Sequence, residues 1–311
     1  MLNHKERTIP QTLPMLNRRD FCHTVLGGAL TAAFLETAEN AWAEENERDH
    51  WIFISDTHIL DNPDRIRDGN NHVKNFVDTR EAVFALGHKP QGVIITGDVA
   101  ESGTLADYRR FAEQIVPYTE KSIPVHCALG NHDSRDNFYA VFPALKKEIP
   151  PVADKHVTVL ETPNVNLFLL DSLYLPPPYY ETGSGFLGYE QLCWLRRELE
   201  ARKEKPALLF AHHTLDNRQR ELMDREELWT IVRSARHVKA YIYGHSHVYR
   251  QSVRDDIHLI NLPALCWAIG AGQPAGWNEA DISKNGIQLT LHTVQSNHVM
   301  NGDVRKFEWL R

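Results

Sequence analysis

The sequence predicts an α/β fold in which a sheet flanked by helices is joined to a second, more antiparallel sheet. From residue 49 to residue 243, short apolar runs of strand length alternate with segments in which apolar residues recur every three or four positions. These two patterns are typical of buried strands and of amphipathic helices. Beyond Gly244, strand-like runs follow one another without helices. The alternation indicates an α/β body, and the consecutive strands indicate antiparallel pairing.

The predicted strands are short runs rich in β-branched and aromatic residues. The first, 51–55, reads Trp-Ile-Phe-Ile-Ser, and the run 238–243 ends in Tyr-Ile-Tyr. In chain order, the α/β part has strands at 51–55, 92–96, 123–129, 156–160, 165–170, 207–210 and 238–243. The last part has strands at 248–253, 257–262, 287–294 and 304–310.

Helices are predicted where apolar residues share one helical face. Residues 75–86 carry Phe76 and Val83 on such a face, and the helix 105–115 is expected to end at Pro117, which cannot donate a helical hydrogen bond. Further helices are predicted at 138–147, 189–202 and 224–234. No repeat or low-complexity linker interrupts the pattern, so residues 50–311 are predicted to form one domain.

Residues 1–43 are predicted to be a twin-arginine (Tat) signal peptide. Arg18-Arg19 precedes a mildly apolar stretch at 25–35, and Ala41-Trp42-Ala43 offers a cleavage site of small residues. The apolar stretch is shorter than the roughly 20 residues of a spanning helix, so no transmembrane segment is expected. An amphipathic leader and a retained anchor are the alternatives. Cleavage near Ala43 after passage through the Tat export machinery would leave a periplasmic or secreted protein.

The composition excludes several classes of protein. A net charge of −7 gives no basic signature for binding nucleic acid. The four Cys lack any C-x-x-C spacing, which argues against a disulfide framework and against a thiolate zinc site, so those of the mature chain are expected to be small buried apolar residues. The 17 His are unusually numerous, and not all are expected to be structural. The oligomeric state stays open.

Polar clusters follow five of the predicted strands directly. Ligands of α/β sheets gather outside the carboxyl ends of the strands, so we expect these side chains to lie close together. In chain order the clusters are Asp56-Thr57-His58, Gly97-Asp98, Gly130-Asn131-His132-Asp133, His212-His213 and Gly244-His245-Ser246-His247.

The mixture of donors in these clusters indicates a particular kind of metal site. Carboxylate oxygen together with imidazole nitrogen suits first-row transition metals, whereas an all-oxygen set would suit Mg²⁺ or Ca²⁺. The clusters hold more ligands than one metal uses. Two metals about 3.5–4 Å apart that share a carboxylate would use them all and could clamp a tetrahedral phosphorus atom.

The order D-x-H, G-D, G-N-H-D, H, G-H-x-H across residues 51–249 resembles the calcineurin-like metallophosphoesterase family. The run from Gly185 to Leu195, followed by His212-His213, is also similar to the bacterial cyclic-nucleotide phosphodiesterase branch of that family. The resemblance implies a four-layer α/β/β/α sandwich with two mixed sheets. It also implies two divalent or trivalent metal ions, with Fe, Mn and Zn as the candidates.

The resemblance also implies a role for each member of the clusters. Asp98 would bridge the two metals. The first metal would be bound by Asp56, His58 and His247, and the second by Asn131, His212 and His245. His132 would not bind metal but would stabilise the phosphate and donate a proton to the leaving group. Asp133 would orient the His132 imidazole, and a metal-bridging hydroxide would be the nucleophile.

Six further positions carry weaker expectations. His213 is expected to lie behind the ligands, since neighbours on an extended segment point in opposite directions. Glu101 is expected to be a helix-start residue. Arg135 could hold a substrate phosphate or form a surface salt bridge. Tyr174, Tyr179 and Tyr180 could stack on a nucleobase or pack over the rim of the site.

The function that follows is an exported binuclear phosphoesterase, hydrolysing phosphodiester or phosphomonoester bonds of a small molecule, with nucleotides among the candidates. A location outside the cytoplasm favours a role in releasing nutrients from nucleotides or other phosphodiesters over a role in signalling through intracellular cyclic AMP. The alternative from another class is a catalytically silent metal- or ligand-binding module on the same fold.

Overall fold

The computed structural model describes residues 48–67, 69–175, 183–215 and 220–311. The predicted signal peptide and two of the rim tyrosines, Tyr179 and Tyr180, lie outside these ranges. The export signal therefore stays a prediction. Among the described residues, no helix is both long and apolar enough to cross a membrane.

Twelve strands and five α-helices make up the described chain. The strands are β1 Asp49–Ile54, β2 Gly92–Ile95, β3 Val125–Cys127, β4 Thr158–Glu161, β5 Asn166–Leu169, β6 Ala207–Phe210, β7 Val238–Tyr243, β8 Arg250–Arg254, β9 Ile257–Asn261, β10 Gly276–Ser283, β11 Gly286–Thr293 and β12 Val304–Glu308. The helices are α1 His72–Phe84, α2 Leu105–Glu120, α3 Arg135–Val141, α4 Tyr189–Ala201 and α5 Arg225–Ser234, with a 3₁₀ turn at Pro143–Leu145.

The strands form two six-stranded mixed sheets, which confirms the predicted fold class. The first has the order β12-β11-β10-β1-β2-β3, and the second has the order β4-β5-β6-β7-β9-β8. In the first sheet β1, β2 and β3 are parallel, while β10, β11 and β12 continue it in antiparallel fashion. In the second, β5, β6, β7 and β9 are parallel, and the edge strands β4 and β8 are antiparallel.

The two sheets pack face to face. Side chains alternate along a strand, so successive residues of β1 serve opposite faces of the sheet. Phe53 points towards the second sheet, where its ring meets Phe210 of β6 edge-on at a centroid distance of 5.0 Å. Its neighbours Ile52 and Ile54 belong to the core under α1 and α2. A third core lies between the second sheet and the helices α4 and α5, which completes the α/β/β/α layers.

Two local expectations differ from the structure. Strand β10 pairs with β1 along Asp49↔Ile282 to Phe53↔Asn278, although its sequence, GWNEADIS, is too polar to predict a central strand. Helix α2 continues through Pro117 to Glu120 instead of ending before the proline. Because Pro117 has no N–H, the carbonyl of Glu113 receives no hydrogen bond within the helix. Glu113 is solvent-exposed, so water can satisfy that carbonyl.

The parallel strands position the polar clusters. Strands β1, β2, β3, β6 and β7 all run in the same sense within their sheets, and each leads into one of the five clusters. The backbone turns sharply there, with positive φ at Asp56 (52°), His58 (44°), Asp98 (47°), His245 (68°) and His247 (54°). Such conformations are costly for residues with a Cβ and cluster at functional sites.

Candidate metal centre

The predicted ligands converge at the carboxyl ends of the strands. Three overlapping groups of donors have their ligand atoms within 4.8 Å of one another. These groups are His58–His247–Cys266, His58–Asp98–His132 and Asp98–His212–His245. Asp56 lies beside the first group, with its Oδ1 3.3 Å from His247 Nε2. Asn131 is buried at the same edge, in the loop that follows β3.

Asp98 occupies the middle of the cluster. Its Oδ2 lies 3.5 Å from His58 Nε2 on one side and 3.1 Å from His212 Nε2 on the other. His245 Nδ1 in turn lies 3.2 Å from His212 Nε2. One carboxylate oxygen therefore faces two separate sets of imidazoles, which is the arrangement that a carboxylate bridging two metals requires.

Two imidazoles of the cluster are neutral at pH 7, whereas His212 is protonated and pairs with the Asp98 carboxylate, a proton that a bound metal would replace. Burial lowers the pKa of His58 to about 3 and that of His245 to about 4, so both rings are neutral at pH 7 and retain a lone pair. Burial would raise the pKa of Asp98, but His212 and His58 hold it well below its usual value. His212 itself has its pKa raised to about 9, because Asp98 and Asp56 outweigh its burial.

One imidazole nitrogen of the cluster, His58 Nε2, makes no hydrogen bond and is left for a metal. His58 Nε2 is buried and has no hydrogen-bond partner, although it points at the carboxylates of Asp98 and Asp56. A buried polar atom without a partner is costly unless something else satisfies it. The buried carboxylates of Asp56 and Asp98 also need cationic partners to offset the cost of burying their charge. A pair of metal ions would meet both requirements, so the residues present fit the implied group.

Glu101 is a member of the site that sequence reasoning missed. Its Oε2 lies 2.9 Å from His58 Nδ1, and its other oxygen pairs with Arg67. The expectation that it starts a helix is wrong, because α2 begins at Leu105 and is capped by Thr104. A carboxylate behind a metal-binding imidazole fixes the ring and its tautomer, so the usable signal would have been an acid close to the G-D motif.

His132 stands at the edge of the cluster, 4.7 Å from the His58 ring by centroid distance. Its backbone N–H donates to Asp98 Oδ1 at 2.9 Å, and its Nδ1 lies 2.7 Å from the carbonyl oxygen of Glu101. A carbonyl can only accept, so Nδ1 carries the proton and Nε2 is the nitrogen left for chemistry.

The expectation that Asp133 orients the His132 imidazole is corrected by the structure. The Asp133 carboxylate accepts instead from the backbone N–H groups of Gly130 (2.9 Å), Ala100 (3.1 Å) and Val99 (3.2 Å). It also accepts from Tyr108 Oη at 2.8 Å. Asp133 therefore points into the turn, away from the His132 ring, and ties the loop after β3 to the loop after β2.

Two glycines allow the loops to approach the carboxylates. A Cβ on Gly130 would overlap Asp98 Oδ1 and the Asp98 backbone nitrogen. A Cβ on Gly244 would overlap Ser55 Oγ and Asp56 Oδ2. Both overlaps are closer than a side chain can tolerate, so the glycines are required by contact with the ligands themselves.

Three of the side chains with weaker expectations have partners within the fold. His213 is fully buried behind the ligands, with its Nδ1 2.8 Å from Ser172 Oγ. The half-buried Arg135 forms an ion pair with the fully buried Asp171, at 2.6 and 2.8 Å, so it is neither a surface salt bridge nor directed at a substrate. The ring of Tyr174 packs on Phe186.

Cys266 lies beside the donor cluster, a position that the sequence did not predict. Its Sγ lies 3.8 Å from His247 Nδ1, and it is one of the donors grouped around His58. Burial raises the pKa of its thiol well above the usual value, so the thiol is neutral. It is buried, as the sequence predicts.

The sequence is similar to a known family and to known proteins. A family model described as calcineurin-like phosphoesterase matches residues 51–249. A 3′,5′-cyclic adenosine monophosphate phosphodiesterase of Vibrio vulnificus is 27% identical over 75% of this chain and 85% of its own length. A probable glycerophosphodiester phosphodiesterase of Arcobacter nitrofigilis is 29% identical over 63% of this chain and 71% of its own length.

Solved structures show the same fold. The structure of a dimetal phosphatase from Danio rerio superposes with a TM-score of 0.64 at 15% identity, covering 84% of this chain and 98% of that one. At this identity the likeness concerns the arrangement of sheets and helices alone.

Proposed function

Since this chain belongs to the calcineurin-like phosphoesterase family and is a phosphoesterase, we propose that it hydrolyses cyclic nucleotides at a binuclear metal centre. The observation that carries this proposal is the Asp98 carboxylate, whose Oδ2 faces His58 on one side and His212 on the other. The relative from Vibrio vulnificus, named as a cyclic AMP phosphodiesterase, supports the substrate class. A silent binding module is not favoured, because the donor set and His132 are all present.

The residues of the cluster would divide between two ions. Asp56, His58 and His247 would hold the first and Asn131, His212 and His245 the second, with Asp98 between them. Fe, Mn and Zn all suit this mixture of carboxylate, amide and imidazole. When bound, such a pair lowers the pKa of water and neutralises charge on phosphoryl oxygens.

His132 would act on the ester itself. The Glu101 carbonyl accepts from Nδ1–H, so Nε2 is directed away from the backbone, and in the imidazolium form Nε2–H can donate to a phosphoryl or leaving-group oxygen. Proton donation of this kind contributes typically about 10²–10⁴-fold to a rate. Asp133 supports this arrangement indirectly, by holding the loop that carries both Asn131 and His132.

A panel of substrates tests the proposal. The purified chain from residue 44 onward would be loaded with Mn²⁺, Zn²⁺ or Fe and given cyclic AMP, bis-p-nitrophenyl phosphate and p-nitrophenyl phosphate. We expect diester hydrolysis, with cyclic AMP cleaved and the monoester cleaved more slowly. An Asp98→Asn variant, which removes the shared charge, is the matched control for contaminating activity. No hydrolysis with any metal would favour the binding module.

Glycerophosphodiesters are the second candidate substrate class. The relative from Arcobacter nitrofigilis is named for that activity and is 29% identical to this chain, although over a shorter stretch than the cyclic AMP phosphodiesterase. Adding glycerophosphoethanolamine to the panel distinguishes the two classes by their kcat/KM values.

We infer that the chain is exported by the Tat route, on the strength of Arg18-Arg19, the apolar stretch and Ala41-Trp42-Ala43. Its substrates would then be extracytoplasmic nucleotides or other phosphodiesters. Fractionation of cells expressing the full chain should place it in the periplasm or medium, shortened near Ala43. Replacing both arginines by lysine should retain it in the cytoplasm. Export of that variant at the normal level would contradict the Tat assignment.

A further inference from the structure

A cavity beside the metal cluster has no role in the hydrolysis described above. It has a volume of about 420 Å³, which falls within the range of small-molecule sites. It lies between the loop that precedes β10 and the loop that follows β11. Its lining residues are Asn70, Trp267, Ala268, Gln273, Ala275, Thr293, Gln295 and His298.

Trp267 borders both this cavity and the donor cluster. Its ring lies 4.5 Å from that of His247 and 5.0 Å from that of His58, by centroid distance. Its carbonyl oxygen lies 2.9 Å from His247 Nδ1. The Trp267 indole is therefore in contact with two of the first metal's proposed ligands and also lines the cavity.

The loop that carries Trp267 is fastened to the site. Cys266 N–H donates to the carbonyl of Asp56 at 3.1 Å, and Ile269 N–H donates to that of His247 at 2.9 Å. At the far end of the loop, Gln273 Oε1 accepts from Tyr249 N–H at 2.8 Å. The cavity is thus positioned by the same backbone that positions the ligands, as a substrate subsite requires.

The chemistry of the lining selects the kind of group that would bind. Among the described residues that line the cavity there is no Asp, Glu, Lys or Arg. The lining offers instead an aromatic wall, three primary amides, a hydroxyl and an imidazole. His298 Nδ1 accepts from Met300 N–H at 3.2 Å, which leaves Nε2–H as a donor. Neutral donors and acceptors beside an aromatic ring suit a planar, uncharged, hydrogen-bonding group.

We propose that this cavity binds the nucleobase of a nucleotide ester, and so makes nucleoside phosphodiesters the substrate class of the site. This inference rests on the proposed function for the position of the phosphate. A cationic headgroup, such as that of a glycerophosphodiester, would meet no carboxylate among the described residues that line the cavity. The base would contact Trp267 and the amides while the phosphate faces Asp98 and His132.

Gln295 and His298 are the residues to change, since neither contacts a proposed metal ligand. Gln295 is exposed and His298 half-exposed, so the double variant Gln295→Ala/His298→Ala should fold. Gln288→Ala, a half-exposed glutamine of β11 outside the cavity, is the matched control. Thermal denaturation of all three proteins checks that the fold is kept.

Binding and turnover would both be measured on the metal-loaded protein. Calorimetry should show that the wild type binds adenosine 5′-monophosphate at least about tenfold tighter than ribose 5-phosphate, the advantage that base contacts typically give. The double variant keeps Trp267 but loses two side chains that can hydrogen-bond the base, so this difference should shrink by at least about threefold, while its affinity for ribose 5-phosphate is unchanged. Its KM for cyclic AMP should rise by a similar factor, with kcat less affected.

The outcomes separate this inference from the proposed function. If the wild type hydrolyses no phosphodiester, the proposed function fails, and the comparison of the two monophosphates still tests the cavity. If the wild type binds both monophosphates equally, or if the double variant keeps the full preference for the base, the cavity is not a nucleobase site.

Discussion

Replacing Glu101 by Gln should weaken metal binding although Glu101 is not itself a ligand. The carboxylate is buried, 2.9 Å from His58 Nδ1 through one oxygen and paired with Arg67 through the other. An amide has only one oxygen to share between these two donors. If that oxygen serves Arg67, the amide NH₂ faces His58 Nδ1 and drives the ring proton onto Nε2, the nitrogen that a metal needs.

The size of the effect follows from the contacts that are lost. A hydrogen bond to a charged group contributes about 1.5–3 kcal/mol. Since about 1.4 kcal/mol corresponds to a factor of ten in affinity, the first metal should bind roughly 10–100-fold more weakly, the range typical of residues behind metal ligands. The second metal, held through His212 and His245, should be much less affected.

Calorimetric titration of the metal-free protein with Mn²⁺ would measure both affinities. Glu113→Gln is the matched control, because Glu113 pairs with Arg110 on the exposed face of α2 at 2.5 Å. An exposed pair contributes little, so this control should bind metal as the wild type does. Tight binding of both ions by Glu101→Gln, within about threefold of wild type, would refute the role given to Glu101.

Three further predictions concern stability and the integrity of the site. Asp171→Asn leaves the half-buried Arg135 without its charged partner, and should reduce the free energy of unfolding at pH 7 by roughly 3 kcal/mol in urea titrations, the lower end of the range for a buried pair. Although burial opposes it, Arg135 holds the pKa of Asp171 below the usual 3.8. The pair's contribution is therefore complete above about pH 4 and is lost as pH falls through the folded-state pKa, so wild type and variant should converge in acid. Gly244→Ala should abolish metal binding, measured by elemental analysis, because its Cβ would overlap Asp56 Oδ2. Chelation by EDTA should abolish hydrolysis and lower the Tm, and added Mn²⁺ should restore both; an unchanged Tm would contradict metal binding by the folded chain.

The polar clusters could be predicted from sequence because each is local and follows a recognisable strand. Asp56, Asp98, His212 and His245 come directly after apolar runs, and the parallel arrangement of those runs brings them to one edge. The fold class followed from the same alternation. These features depend on the order of residues along short segments, which is the information a single sequence carries best.

The features that the sequence did not predict depend on contacts between distant segments. Glu101 meets His58 only because the loops after β1 and β2 lie side by side. Asp133 follows His132 in the sequence, as a residue that orients the imidazole would, yet backbone N–H groups of the neighbouring turn donate to its carboxylate. Strand β10 is polar by pattern, and its place in the centre of the first sheet comes from pairing with β1 and β11.

Metal content and diester hydrolysis, measured on the same preparations of wild type, Asp98→Asn and His132→Ala, distinguish the metal ligands from the proton donor most directly. The wild type should hold about two metal ions per chain, as a binuclear phosphoesterase requires. Asp98→Asn should lose metal and activity together. His132→Ala should keep its metal and lose turnover by about 10²–10⁴-fold. Loss of metal from His132→Ala in parallel with activity, or full activity in Asp98→Asn, would contradict the division between metal ligands and proton donor.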